Sequence, residues 1–287
     1  MWKVYAFASA FFAGIVSILA KIGINNVNSN LATALRTVVV AVFAWLMVFV
    51  VGSQTQISSI DTRSLTFLTL SGLATGASWL CYFKALQVGS VSKVVPVDKS
   101  STLLTMLFAF IFLGEELTIV KVLAMALIGT GTYLMVGTRT AEKDDVKSYR
   151  WLPYAILSAV FASLTAILGK IGIVGVEANL GTAIRTVVVL VMAWLIVVMQ
   201  GKQQEISKID RKSWAFLTLS GFATGLSWLA FYRALQEGPA SIVVPIDKLS
   251  IIITVAFGFI VLREELKKKS VLGLLLIVAG TLSLLVF

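Results

Sequence analysis

The sequence predicts an all-α integral membrane protein with ten transmembrane helices, arranged as two inverted five-helix repeats. Three observations lead to this prediction: an apolar composition, a series of long apolar runs, and a repeat that covers nearly the whole chain. Of the 287 residues, 58% are hydrophobic and only 13% are charged, whereas a soluble domain is about half apolar and about a quarter charged. The composition therefore excludes a soluble globular protein.

Residue types that are rare or missing exclude several kinds of chemistry. The chain has no His and a single Cys, Cys81, so an intrachain disulfide, a His-based hydrolytic triad and a structural zinc site have nothing to be built from. We expect no cofactor, no metal and no enzyme activity. The net charge is +10, but the basic residues outside the apolar runs lie in short loops and a linker. Membrane orientation explains them better than nucleic acid, which we do not expect as a partner.

Ten apolar runs of about twenty residues are long enough to cross a hydrocarbon core of ~30 Å as helices, at ~1.5 Å per residue. The predicted spans are residues 4–24, 31–51, 65–86, 91–113, 118–137, 152–173, 180–200, 214–235, 240–262 and 270–287. The segment 138–150 (TRTAEKDDVKSYR) is too short and too charged to form another span. It is predicted to be a linker.

The chain repeats itself at an offset of 149 residues without a gap. FLTLSG at 67–72 returns at 216–221, and VVPVDK at 94–99 returns as VVPIDK at 243–248. Roughly half of the aligned positions are identical, far more than a shared apolar composition produces. The sequence therefore divides into a first five-span unit at 1–137, the linker at 138–150 and a second unit at 151–287.

The odd number of spans in each unit predicts that the two units lie inverted in the membrane. Inverted repeats are typical of secondary transporters, whose substrate site lies at the interface between the repeats. Some inverted repeats form channels or scaffolds, so the expectation of transport rests partly on this analogy. We expect a monomer with internal pseudo-two-fold symmetry that contacts membrane lipids and a small-molecule substrate.

The basic residues of the loops predict the orientation of the chain. Twelve Lys and Arg lie on the side that carries the linker, in the segments 138–150, 201–213 and 263–269, against Lys3, Arg63 and Lys121 on the other side. By the positive-inside rule, the linker is cytoplasmic and both termini are external. The first-unit loop at 52–64 lacks three of the basic residues present in 201–213, as expected if charge orients two similar units oppositely.

Several repeated motifs carry a resemblance to a known family. They are KIGI at the end of the first span, the Arg of LxTAxRTVVV in the second, SGxATGxSWL in the third and VVPxDK in the fourth. The chain resembles the EamA domain of the drug/metabolite transporter superfamily, in particular its short five-span bacterial and archaeal members, present here twice. The resemblance implies a ten-helix carrier in a prokaryotic cytoplasmic membrane, usually an exporter of small metabolites.

Ionisable residues within the spans recur in both units and are candidates for the transport pathway, because charges in lipid are costly and normally face the bundle interior. The ten residues are Lys21, Arg36, Lys84, Asp98, Lys99, Lys170, Arg185, Arg233, Asp247 and Lys248. We expect Lys21 and Lys170, near span ends, to snorkel. Each Asp is expected to pair with basic groups of its own unit, Arg36 or Lys84 and Arg185 or Arg233. These pairs act either as alternating gates or as buried bridges between helices.

Other repeated positions add to the candidate pathway. Pro96 and Pro245 precede the aspartates and lie where a proline either starts a helix or frees backbone carbonyls within it. Trp79 and Trp228 lie too deep for interfacial residues and are predicted to form cavity walls. The adjoining small-residue segments, with GxxxG spacing, predict close helix packing.

The balance of charges within the spans favours an anionic or zwitterionic cargo, because basic groups outnumber the single aspartate of each unit. The first span carries no Asp or Glu, and the resemblance implies that cation exporters of the superfamily use a carboxylate there. We therefore expect a secondary transporter, an exporter of a small polar metabolite that works by alternating access. A lipid-linked flippase and a non-transporting membrane scaffold are the alternatives.

Overall fold

A computed structural model describes residues 1–23, 27–88, 97–98, 100–136, 150–260 and 268–286. Every long regular element within these ranges is an α-helix, as lipid requires of a chain whose backbone groups must bond to one another. The predictions for Pro96, Lys99 and residues 138–149 of the linker lie outside the described residues, as do those for the side chain of Lys21.

The helices follow the repeat in the sequence. They are α1 (Trp2–Gly23), α2 (Ser29–Val51), α3 (Thr62–Val88), α4 (Ser101–Leu113), α5 (Ile119–Val136), α6 (Trp151–Gly172), α7 (Ala178–Met199), α8 (Arg211–Glu237), α9 (Ala240–Lys248), α10 (Ser250–Ile260) and α11 (Lys268–Val286). Short 3-10 helices at Ser53–Ser59 and Lys202–Lys208 follow α2 and α7. Equivalent helices in the two units therefore begin and end at nearly equivalent residues.

Six stretches of the described helices are long and apolar enough to cross a membrane, which makes the chain a multi-pass membrane protein. They are Asn30–Val51, Thr62–Tyr82, Trp151–Gly172, Ala178–Met199, Arg211–Glu237 and Lys268–Leu285. Shorter apolar helices cover Trp2–Val16, Ser101–Leu113 and Ile119–Leu134. The other four predicted spans correspond to these three shorter helices and to α9 with α10, so the count of ten stays a prediction.

Capping residues at equivalent positions mark the ends of the second helix of each unit. The side chain of Asn28 accepts hydrogen bonds from the first backbone N–H groups of α2, and that of Glu177 does the same for α7. Gly52 and Gly201 then end the turn after each helix with φ of 77° and 65°, a region that glycine adopts without a steric penalty. Local sequence thus fixes both ends of these helices.

The fourth span of the second unit, predicted as one helix over 240–262, is broken into α9 and α10 at Leu249. The N–H of Leu249 donates to the carbonyl of Ile246, three residues back instead of four. Ser100, the equivalent residue of the first unit, donates to Val97 in the same way. In the second unit the break at Leu249 comes about one turn after Pro245, which lies within α9 and has no N–H to donate.

The main helix contacts join the two units. Helix α1 packs against α8, α3 against α6, α2 against α7, and α5 against α11. The first helix of each unit therefore packs on the third helix of the other unit, while second and fifth helices pack on their own equivalents. Exchanging the units leaves this pattern unchanged.

Side-chain contacts give the relative directions of the packed helices. Along α1, Ser9 contacts Ser227 and Val16 contacts Ser220, so α1 and α8 run antiparallel. The contacts of Ser78 with Ser158 and of Ser71 with Thr165 make α3 and α6 antiparallel in the same way. Contacts between residues 124–131 and 273–280 make α5 and α11 antiparallel.

The GxxxG segments lie at close helix crossings, as the sequence predicts. A Cβ atom added to Gly72 of α3 would lie 2.7 Å from Val188 Cβ of α7, and one added to Gly221 of α8 would lie 2.6 Å from Val39 Cβ of α2. One turn further along, Gly76 and Gly225 meet Met192 and Phe43. Helix α3 thus runs parallel to α7, and α8 runs parallel to α2.

Two equivalent apolar clusters support these crossings. One contains Leu31, Val197 and Leu217, and the other contains the residues 149 positions away, Leu180, Val48 and Leu68. All six are buried. Each cluster combines side chains of both units, so burial of apolar surface holds the units together.

Candidate functional site

A hydroxyl–carboxylate cluster joins the two units at the crossing of α1 with α8 and α9. The Ser9 hydroxyl donates to Asp247 Oδ1 at 2.5 Å and lies 3.3 Å from the hydroxyl oxygen of Ser227. Ser227 donates to the backbone carbonyl of Ser9 at 3.1 Å. Both serines are buried, so the carboxylate reaches into a water-poor interface between the units.

The same cluster occurs a second time at the crossing of α6 with α3. Ser158 donates to Asp98 Oδ1 at 2.8 Å, its hydroxyl oxygen lies 3.3 Å from that of Ser78, and Ser78 donates to the Ser158 carbonyl at 3.1 Å. Each of these residues is 149 positions from its counterpart. We call the two groups the α1 cluster (Ser9, Ser227, Asp247) and the α6 cluster (Ser158, Ser78, Asp98).

The aspartates have partners that differ from the predicted ones. Among the described residues, no ion pair joins Asp98 to Arg36 or Lys84, and none joins Asp247 to Arg185 or Arg233. Lys248 Nζ lies 3.8 Å from Asp247.

The predicted basic partners are engaged elsewhere. The Nε atom of Arg233 lies 2.8 Å from a carboxylate oxygen of Glu237, one turn along the same helix. Lys84 is exposed. The expected pairings are therefore wrong for this conformation, because Arg36 and Arg185 project from α2 and α7 toward hydroxyls of the other unit.

Arg185 is enclosed by hydroxyl groups and aromatic rings. Its Nε donates to the Ser71 hydroxyl at 3.3 Å and its Nη2 to the Thr75 hydroxyl at 2.7 Å. Its Cζ lies 4.8 Å from the ring centroid of Trp228 and 4.5 Å from that of Tyr232, within cation–π distance. The side chain is only 2% exposed, so its charge is stabilised by groups of the protein.

Arg36, the equivalent residue, has fewer partners. Its Nη2 donates to Thr224 at 2.9 Å, which matches the bond of Arg185 to Thr75. Its Nε is shielded from solvent and has no hydrogen-bond partner among the described residues. The hydroxyl of Ser220, the counterpart of Ser71, donates to the carbonyl of Val16 at 3.4 Å, as Ser71 donates to that of Thr165 at 2.7 Å, but Ser220 accepts no hydrogen bond from Arg36 Nε.

The two tryptophans also have different surroundings. Trp228 faces Arg185, whereas Trp79 packs against the apolar cluster around Leu31 and Val197. Both are partly buried. The role of the two tryptophans as cavity walls stays a prediction.

Pro245, another residue of the predicted pathway, is buried within α9, two residues before Asp247 in the chain.

Two charged side chains hold the junction between α8 and α9. Glu115 accepts hydrogen bonds from the N–H groups of Ala240, at 2.6 Å, and Ser241, and from the Ser241 hydroxyl, at the start of α9. Lys170 donates to the carbonyls of Leu235 and Gly238, at the end of α8. Lys170 therefore caps a helix, in contrast to the predicted snorkelling.

The serines and threonines of these sites are functional candidates that the sequence analysis missed. Ser9, Ser78, Ser158 and Ser227 are common residue types in membrane helices and carry no charge to mark them. Their only signal is that each serine recurs at the equivalent position of the other unit. No group of His, Cys, Asp and Glu suited to a metal ion occurs among the described residues.

Comparisons with known proteins point to a family of membrane transporters. The model of a family described as "EamA-like transporter family" matches the chain twice, at residues 1–137 and 149–286. A protein named "Uncharacterized transporter in cobO 3'region", from Sinorhizobium sp, is 46% identical over 140 residues, which are 49% of this chain and 99% of that protein. An "Uncharacterized transporter" of Archaeoglobus fulgidus is 25% identical over 79% of this chain and 78% of its own length.

A solved crystal structure shares the fold. It superposes with a TM-score of 0.81, covers 99% of this chain and 96% of its own chain, and is 16% identical in sequence. At this identity the likeness concerns the fold alone.

Proposed function

Because this chain belongs to the EamA-like transporter family, we propose that it exports a small anionic or zwitterionic metabolite by alternating access between two inverted five-helix repeats. The proposal places the linker in the cytoplasm and both termini outside, with the two repeats rocking about the contacts between them. A secondary carrier of this kind needs a polar pathway between the repeats and a closure on each side of the membrane.

The helix directions support the inverted arrangement. Helix α8 runs antiparallel to α1 and parallel to α2, whereas α3 runs parallel to α7 and antiparallel to α6. If helices joined by short loops alternate in direction, α6, α7 and α8 run opposite to α1, α2 and α3. The antiparallel pair α5 and α11 fits the same two-fold relation.

The observation that carries the proposal is the pair of equivalent clusters between the repeats. Ser9 lies seven residues after the start of α1, and Ser158 lies seven residues after the start of α6. In an inverted arrangement the two clusters are therefore each ~10 Å from opposite ends of the bundle, at ~1.5 Å per residue. When the repeats part on one side, the cluster of that side must break while the other remains.

These clusters replace the predicted Asp–Arg pairs as the gates. The α1 cluster closes the external side and the α6 cluster closes the cytoplasmic side. Asp98 and Asp247 keep their pathway role as the hydrogen-bond acceptors, with Lys99 and Lys248 beside them in the sequence. Arg36 and Arg185 supply the positive charge that favours an anionic group of the cargo over a cation.

A metabolite-export experiment tests the proposal. Cells that express the wild-type chain are compared with cells that express the double variant Asp98→Asn/Asp247→Asn, and the solutes in the medium are identified by mass spectrometry. Glu116→Gln, which removes an exposed carboxylate outside the clusters, is the matched control. We expect at least one carboxylate-bearing metabolite to accumulate outside with the wild type and the control but not with the double variant.

Two other outcomes would contradict the proposal. A change confined to lipid-linked intermediates would favour a flippase. Identical solutes in the medium with all three chains, at equal amounts of protein in the membrane, would favour a non-transporting scaffold.

A further inference from the structure

Arg36 and Arg185 occupy equivalent positions in the repeat but have different surroundings. The edge of Arg185 formed by Nε and Nη2 donates to Ser71 and Thr75. The same edge of Arg36 donates only through Nη2, to Thr224, and its buried Nε has no partner among the described residues. The Nε/Nη2 edge of Arg185 is therefore satisfied by protein groups, whereas the same edge of Arg36 keeps a free donor at Nε.

From this difference we propose that Arg36 binds the carboxylate of the transported metabolite. At the equivalent position of the second unit, Ser71 and Thr75 take the place of such a carboxylate by accepting the hydrogen bonds of Arg185. The inference rests on the proposed function and names the group of the cargo that is recognised. A guanidinium edge offers two parallel N–H donors whose spacing matches the two oxygens of a carboxylate. On Arg36, Nε supplies the free donor of this edge, and a carboxylate that also accepts from Nη2 replaces the Thr224 hydroxyl there.

The charges near Arg36 favour an anion as the missing partner. Arg36 is partly buried, and no ion pair joins it to a carboxylate in the described part of the chain. A buried cation is normally paired or neutralised. A carboxylate from the cargo neutralises Arg36 and satisfies Nε in one step.

The aromatic rings distinguish the two positions further. Trp228 and Tyr232 face Arg185, and no ring lies within cation–π distance of Arg36 among the described residues. Trp79, the counterpart of Trp228, packs against apolar side chains instead. The described aromatic groups thus leave the guanidinium of Arg36 uncovered.

Thermal unfolding of the purified full-length chain with matched pairs of small probes tests the inference. The pairs are acetate with acetamide, L-lactate with L-lactamide, and L-alanine with L-alaninamide, at equal ionic strength. We expect at least one carboxylate to raise the unfolding temperature, because binding to the folded state stabilises it. The corresponding amide should leave the temperature unchanged.

Variants assign the effect to Arg36. Arg36→Gln should abolish the shift, whereas Arg211→Gln, which removes an exposed arginine at the start of α8, should preserve it. If Arg36→Gln does not fold, Arg36→Lys keeps the charge but loses the planar edge. We expect Arg36→Lys to raise the half-saturating probe concentration at least about tenfold.

The pattern of shifts shows whether Arg36 binds a carboxylate and which class of cargo carries it. A shift with L-alanine alone identifies a zwitterionic cargo, and a shift with acetate or L-lactate identifies an organic acid. No shift with any carboxylate, or an undiminished shift in the Arg36 variant, overturns the inference.

The export experiment separates this inference from the proposed function. If the wild type exports a metabolite and the Arg36 variant exports it at the same rate, the inference fails and the proposed function stands. If carboxylates bind through Arg36 but nothing is exported, the proposed function fails and the inference stands.

Discussion

Replacing Ser9 or Ser158 with alanine should shift the transporter toward opposite open states. Ser9→Ala removes the hydroxyl that donates to Asp247 at 2.5 Å and contacts Ser227 at 3.3 Å. Ser158→Ala removes the equivalent hydroxyl of the α6 cluster, which donates to Asp98 at 2.8 Å. Each change weakens the closure of one side only, because the two clusters share no residue.

The expected size of the shift follows from these contacts. A hydrogen bond to a charged group contributes about 1.5–3 kcal/mol. Each serine has a single hydroxyl hydrogen, which the donations described above already use, so the 3.3 Å contact between the two hydroxyls adds no further hydrogen bond. The closed state of the affected side should therefore lose about 1.5–3 kcal/mol. Since each 1.4 kcal/mol is about a factor of ten, the ratio of open to closed states should rise roughly 10- to 140-fold on that side.

Cysteine accessibility measures this shift. Single cysteines replace Ala13 or Ala162, which lie one turn after Ser9 and Ser158 at equivalent, partly buried positions, in a background in which Cys81 is replaced by alanine. A membrane-impermeant thiol reagent is applied to right-side-out and to inside-out vesicles. In Ser9→Ala, labelling of Ala13→Cys from outside should accelerate, while labelling of Ala162→Cys from the cytoplasmic side slows.

Ser158→Ala should give the opposite pattern, and this reciprocity is the critical result. If both variants lose stability and change the two labelling rates in the same direction, the clusters are structural contacts. In that case the assignment of the clusters as gates is wrong.

Three further predictions concern other parts of the chain. Glu115→Gln should lower the free energy of unfolding by about 1–3 kcal/mol, because it weakens charge-assisted bonds at the start of α9, whereas exposed Glu116→Gln should not. Hydrogen bonds from Ser213 lower the pKa of Asp210, which caps α8. Its contribution to stability is therefore complete at neutral pH and is lost as the pH falls through the native pKa, so the difference in unfolding temperature between wild type and Asp210→Ala should vanish in acid. A reporter that is active only in the cytoplasm should work within 201–213 and fail when fused after Phe287, as the loop charges predict.

The helices and the repeat could be predicted from the sequence because lipid leaves few alternatives. A chain with long apolar runs must satisfy its backbone within each segment, so the runs become helices. The GxxxG segments likewise marked the close crossings at Gly72 and Gly221, where a side chain would clash with the neighbouring helix. The break at Leu249 was not predicted as such, since a proline such as Pro245 also fits an uninterrupted helix start.

The candidate site was predicted only in part. Asp98 and Asp247 stood out because a charge in lipid is costly, but their partners depend on which helices meet. The sequence alone predicted those partners within the same unit. In the structure the hydroxyls of Ser9 and Ser158 come from the opposite unit, because first helices pack on third helices across the interface.

The difference between the two arginines must come from positions that the repeat does not share. Tyr232, which covers Arg185, corresponds to Phe83, and Gly169 corresponds to Ala20. A Cβ atom on Gly169 would lie 2.5 Å from the Tyr232 ring, so this ring position requires glycine there. The second unit thus carries a matched pair, Gly169 with Tyr232, that the first unit lacks. Two halves of similar sequence can therefore hold equivalent arginines in different states, and the asymmetry is encoded in the second unit.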